Sequence, residues 1–132
     1  LRYQAGVIRA HDEGAVILTV LSGTFFALRP GVALKASGLV DAVGITLFEE
    51  AGYWSAPVAV TAARAVGPAW LFGTGHPGTD EEQADYIIRM VERMAALGVP
   101  VVVIWHWNEG PYAIEGNTLL LARLAELYSA RR

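Results

Sequence analysis

The chain has 132 residues, 54% apolar and 17% charged, which makes one folded domain the default and excludes intrinsic disorder, a state that needs low hydrophobicity and high charge. Ten basic and thirteen acidic residues give a net charge of −3, with Lys35 the single lysine, so no basic stripe offers itself to nucleic acid. A sequence without cysteine has no disulfide framework, no cysteine-ligated zinc and no thiol catalysis.

Leu1 to Ala10 patterns as the back half of a helix, with neither an initiator Met nor a signal-peptide pattern ahead of it. This start predicts a fragment of something larger, whose apolar surface is meant for a missing part. The compartment stays open between cytoplasmic and secreted. The uncharged run Gly14 to Leu28 is fifteen residues long and broken by Thr19, Ser22, Gly23 and Thr24. It falls short of the ~20 apolar residues of a membrane span, and no membrane partner is expected.

From there β-branched apolar runs alternate with helical patterns. Strands are expected near 15–21, 39–48, 69–73 and 99–106, apolar on both faces as covered parallel strands are. A short helix begins near Pro30. Another spans Ser55 to about Val66, with Ser55 as N-cap and Pro57 in its first turn.

The clearest helix follows Thr79-Asp80-Glu81-Glu82, a capping-box sequence. Ala84, Ile87, Ile88, Val91, Met94 and Ala95 recur at helical spacing, Asp85 and Arg89 form an i,i+4 pair, and Gly98 with Pro100 marks the stop. The last helix runs from about Asn117 to Ala130, burying Leu120, Leu121, Leu124, Leu127 and Tyr128. Strands alternating with helices imply right-handed crossovers and a parallel sheet. Two architectures satisfy this order: half of an eight-stranded (β/α)8 barrel, a (β/α)4 unit, or a four-stranded three-layer α/β sandwich. Periodicity does not separate them.

Polar and aromatic residues gather just after the strands, where parallel sheets carry ligands. Ser22, Gly23 and Thr24 follow the first; Thr46, Phe48, Glu49, Glu50, Tyr53 and Trp54 surround the end of the second. Gly73 to His76 follow the third, and Trp105 to Glu109 the fourth. In a strand Trp105 and Trp107 point to one side and His106 to the other. The two tryptophans then form either a pair of core residues or a flat platform for a ring-shaped ligand such as a sugar, with Asn108 or Glu109 bonding its hydroxyls.

Gly73-Thr74-Gly75-His76-Pro77-Gly78 lacks the spacing of a phosphate loop and reads as a strand-to-helix turn. His76 and His106 lack a local metal-ligand spacing; no metal and no cofactor is expected. His11 reads as a surface or helix-end residue. Glu49, Glu50 and Glu109 are solvated carboxylates or acid/base groups. No serine occupies a nucleophile elbow.

Taken in order, four segments resemble the C-terminal half of a (β/α)8-barrel glycoside hydrolase of the cellulase-like clan, which includes glycoside hydrolase family 5. Val7 to Asp12 followed by Ala15 to Val20 is similar to the passage into the fifth strand, and Val40 to Glu49 to the sixth. Pro68 to Gly75 is similar to the seventh, and Gly98 to Asn108, with its Trp near the strand end, to the eighth.

The resemblance implies O-glycosyl hydrolase chemistry, and the departures bear on it. The family's nucleophilic Glu falls on Gly73, its His and Tyr on Thr46 and Phe48, and its acid/base Glu belongs to a strand outside this chain. Retaining hydrolysis needs two carboxyl groups ~5–5.5 Å apart, so this chain alone is expected to be inactive. Only a shifted alignment would make Glu50 or Glu109, the remaining catalytic candidates, a working acid.

What the resemblance leaves is a sugar-facing surface of Trp105, Trp107, Thr46, Phe48, His76 and Asn108, with an oligosaccharide or polysaccharide as ligand. A missing half-barrel or a second copy of the chain would be its partner. The competing expectation is a small α/β interaction or assembly domain without catalysis.

Overall fold

The computed structural model describes residues 2–21 and 38–130. The expected helix at Pro30 and the polar residues Ser22, Gly23 and Thr24 lie outside them. Helix α1 (Arg2–His11) leads into strand β1 (Leu18–Leu21), which pairs with β2 (Ala42–Thr46). Helix α2 (Glu49–Arg64), strand β3 (Ala69–Thr74), helix α3 (Asp80–Ala96), strand β4 (Val102–Ile104) and helix α4 (Thr118–Ser129) follow.

All pairings are parallel and the order across the sheet is β1-β2-β3-β4. Sequential order means that each crossover advances one strand in the same direction. Right-handed crossovers then put successive helices on one face, and the core agrees. Val43, Ile45 and Leu47 from β2 and its end, with Ala69 and Leu71 from β3, form one cluster with Ala56, Ala59, Val60 and Ala63 of α2 and with Ile87, Met90 and Met94 of α3. Leu120, Leu124 and Leu127 of α4 join the same cluster. A three-layer sandwich would divide these helices between two faces. The arrangement is a (β/α)4 unit.

Several local expectations are corrected. Helix α2 begins at Glu49, six residues ahead of Ser55. Its N-cap is Phe48, without a side-chain cap bond, and Ser55 Oγ instead donates to the Gly52 carbonyl at 3.2 Å inside the helix. The acidic pair Glu49-Glu50 in the first turn complements the helix dipole, and Gly52 lets that turn lie against Leu47, whose carbonyl carbon would be 2.7 Å from an added Cβ. Pro57 is therefore interior rather than initial.

Helix α3 keeps its capping box, with Thr79 accepting from the Glu82 N–H and Glu82 accepting from the Thr79 N–H at 2.8 Å. Gly98 ends it with φ +68°. The Asp85–Arg89 pair is replaced by cross-helix pairs: Arg89 bonds Glu50 of α2, and Asp85 bonds Arg123 of α4. Leu121 and Tyr128 are 47% and 55% exposed, because α4 packs on α3 through the narrower stripe Leu120, Leu124 and Leu127.

Candidate functional site

Alternation along a strand sends neighbours to opposite faces. Val43, Ile45, Ala69 and Leu71 go to the helices, and Gly44, Thr46, Trp70 and Phe72 to the other side. Between β2 and β3 the register slips, so that Ile45 pairs with Leu71 but Thr46 with Gly73. This bulge puts one extra residue into β3. Phe72 and Gly73 consequently both line the open face, while Thr74 returns to the helix side and meets the Tyr86 hydroxyl at 3.3 Å.

The open face holds a cavity of about 510 Å³ lined by Val20, Thr46, Phe48, Phe72, Gly73 and Trp105. It lies toward the carboxyl ends of the strands. Two of its lining residues close over Gly44, where an added Cβ would come within 2.9 Å of Phe72 Cβ and 3.2 Å of Val20 Cγ2. Trp105 is 45% exposed, so the aromatic wall is open to a ligand.

Beside the cavity, three strand-end segments converge. Leu47 N–H donates to the Gly73 carbonyl at 2.9 Å and Glu49 N–H to the Gly75 carbonyl at 3.1 Å. Trp105 N–H donates to the Thr74 carbonyl at 2.8 Å. Gly75 is a close-approach position, since a Cβ there would lie 2.3 Å from the Trp105 carbonyl oxygen. Tyr112 reaches back from the loop after β4. Its hydroxyl donates to Glu49 Oε1 at 2.6 Å, and its ring meets Phe48 edge-on at 5.4 Å. Glu49 has φ 57°, the left-handed region rarely taken by a residue with a side chain. The carboxylate at its hydroxyl raises the Tyr112 phenol above its ordinary pKa, with burial adding to the effect.

Among the residues expected from the sequence, Thr46, Phe48, Gly73 and Trp105 come together in the cavity wall. The others lie elsewhere. Trp107 does not share a strand face with Trp105, because β4 stops at Ile104 and the chain turns through a bend. Asn108 and Glu109 are exposed in that bend. His76 packs its ring against Tyr86 at 5.2 Å, with Nδ1 buried and unpartnered. Glu50 points to the helix layer and pairs with Arg89.

Val20 and Phe72 complete the cavity wall, and Tyr112 stands beside it against Phe48 and Glu49. Phe72 was legible as an outward residue of β3, while Tyr112 had no local signal, since its partner Glu49 is distant in sequence. Among the described residues no group of three His, Asp or Glu side chains is arranged to hold a metal ion, and no helix is long and apolar enough to cross a membrane. Comparison with protein-family models, curated proteins and solved structures finds no match to this chain.

Proposed function

We propose that the chain is a glycoside hydrolase-like domain that binds an oligosaccharide or polysaccharide at the carboxyl ends of its strands without hydrolysing it. The supporting observation is the open cavity of about 510 Å³ whose walls are Phe48, Phe72 and Trp105 with Thr46 among them. A pyranose ring has apolar C–H faces and a polar rim, and an exposed indole face suits the first while its N–H suits the second. Gly73 lies in that wall, where the resemblance would have a nucleophilic carboxylate, so the cavity accepts a ring but offers it no nucleophile there.

Calorimetric titration with neutral oligosaccharides, followed in parallel by tryptophan fluorescence, tests this. Binding is expected in the micromolar to millimolar range, with no release of reducing sugar. Trp105→Ala should weaken binding about tenfold or more, the loss expected on removing a large apolar contact. No binding at millimolar sugar, with unchanged fluorescence, overturns the reading.

A second reading, assembly, is favoured by the sheet itself. Strands β1 and β4 each pair on one side only in the described sheet, and the open face carries Val20 and Trp105 partly exposed. Unpaired parallel edges and an apolar face are surfaces that a missing half-barrel or a second copy would cover. Sedimentation distinguishes the two. A stable dimer whose formation is abolished by Trp105→Arg supports assembly, and a monomer that binds sugar supports the first reading.

A further inference from the structure

An aromatic wall alone holds a sugar ring weakly and without orientation; a site that selects a sugar also needs fixed polar groups aimed at its hydroxyls. Beside the cavity, next in sequence to its wall residue Phe48, stands an oriented carboxylate. Glu49 follows Phe48 directly, and Phe48 is part of the wall. The Glu49 backbone is pinned to the Gly75 carbonyl, and its side chain receives the Tyr112 hydroxyl at 2.6 Å. Tyr112 is itself fastened twice, by its ring on Phe48 and by its carbonyl, which accepts from the His106 N–H at 3.2 Å.

The carboxylate is thus oriented from three strand-end segments while remaining exposed. Among the described residues its one side-chain partner is Tyr112. An ionised carboxylate is acceptor-only and offers about four lone-pair sites, so at least one oxygen is free to accept hydroxyl groups. The left-handed φ of 57° points the same way. Such a conformation is unfavourable for a residue with a side chain and persists where the surroundings over-determine it, commonly at ligand sites.

We propose that the Glu49 carboxylate, oriented by Tyr112, is the hydroxyl acceptor of the cavity, taking adjacent hydroxyls of a neutral sugar whose apolar face rests on Phe48 and Trp105. This rests on the sugar-binding reading above. It assigns the polar recognition to a residue at the end of β2 rather than to Asn108 or Glu109. Tyr112 is a positioning residue in this arrangement: its hydroxyl engages one carboxylate oxygen, Oε1, and leaves the other for the sugar.

The test uses neutral tetrasaccharides of glucose, mannose and xylose, titrated into the wild-type chain and into Glu49→Gln and Tyr112→Phe. A hydrogen bond to a charged group contributes enough that Glu49→Gln should weaken binding of the preferred sugar about tenfold to a hundredfold. Tyr112→Phe should weaken it by a few-fold. A deoxy analogue of the preferred sugar, lacking one of the two hydroxyls, should bind wild type and Glu49→Gln alike.

The tyrosine absorbance titration adds a readout independent of sugar, because Glu49→Gln should return the Tyr112 phenol toward its ordinary range. If wild type binds sugar and Glu49→Gln binds within twofold of it, the role of Glu49 is overturned and the sugar reading stands. If no tetrasaccharide binds wild type, both fall together. Should Glu49→Gln fail to fold, Tyr112→Phe decides, and unchanged affinity in that variant overturns the proposal.

Discussion

Tyr86 carries a hydroxyl into the core between α3 and the two central strands, where it donates to the Leu47 carbonyl at 3.4 Å and meets Thr74 Oγ1 at 3.3 Å. Burial pushes its phenol up to about 12, against an ordinary value of about 10. The unfolded chain releases that proton first, so the contribution of Tyr86 to stability is complete below pH ~10 and declines as pH rises toward the folded value. Chemical denaturation between pH 8 and 11.5 should show this decline, and Tyr86→Phe should flatten it. Glu49 illustrates the opposite economy. Glu49→Gly relieves a left-handed φ but gives up the Tyr112 bond and a first-turn carboxylate, so stability should stay within about 1 kcal/mol, read as a Tm change of at most a few degrees, while the proposed sugar affinity falls. At this scale the sequence exposes residue types but not their partners. Thr46, Phe48 and Trp105 were recognisable from their strand-end positions, whereas the Glu49–Tyr112 bond joins residues that no local pattern links.

Among the elements, α3 was readable almost in full because its signals are local: a Thr79–Glu82 capping box, a regular apolar stripe and a terminal glycine. Thr79→Ala should cost about 1 kcal/mol, measurable in urea. Helix α2 was readable in existence but not in its start, since Phe48 caps it without a side-chain bond and the anchoring comes from the carbonyls of Gly73 in β3 and Gly75 just beyond it. The β3 bulge was not readable at all, because Phe72-Gly73 carries nothing that distinguishes a slipped register from a regular one. Helix α1 is fastened differently. Asp41 accepts from the Ile17 N–H at 2.7 Å and from Arg9 at 2.8 Å. Those two contacts, the backbone one first, hold its carboxyl below the usual carboxylate range. A lowered folded pKa gives a contribution that is complete above the unfolded value of ~3.9 and is lost as pH falls through the folded one. On acidification the attachment of α1 should therefore loosen, as followed residue by residue in NMR spectra. Asp41→Asn should loosen it already at neutral pH.

For the whole molecule, the alternation of strands and helices announced a parallel α/β sheet, and the four strands appear in the expected places, with trimmed ends. What periodicity left undecided was the layering. An apolar run such as Val40 to Phe48 looks the same whether its second face meets helices or a cavity, so only the sequential order and the one-sided core distinguish the (β/α)4 unit from a sandwich. The apolar excess thereby acquires a location. Part of it is the residues around the cavity, including Phe72 lying over side-chain-free Gly44. Gly44→Val would meet Phe72 and Val20 directly. It should cost about 1–3 kcal/mol as an overpacked position and displace Phe72 into the ligand space, so that sugar affinity and stability fall together.

Strand order that follows chain order also governs how the molecule comes apart. Among the described residues the strands pair β1 with β2, β2 with β3 and β3 with β4, so cooperativity passes from neighbour to neighbour as it does in repeat proteins. The sheet should then open from its margins. Under native-state hydrogen exchange, the amides of Val43, Ile45 and Leu71 would be the last to exchange, and those of the outer strands would exchange through partial openings cheaper than global unfolding. The cavity spans the inner pair and both outer strands, through Val20 on β1 and Trp105 just beyond β4. A bound ligand would clasp the margins to the centre, and its presence should be recorded most strongly in slower exchange at the edges.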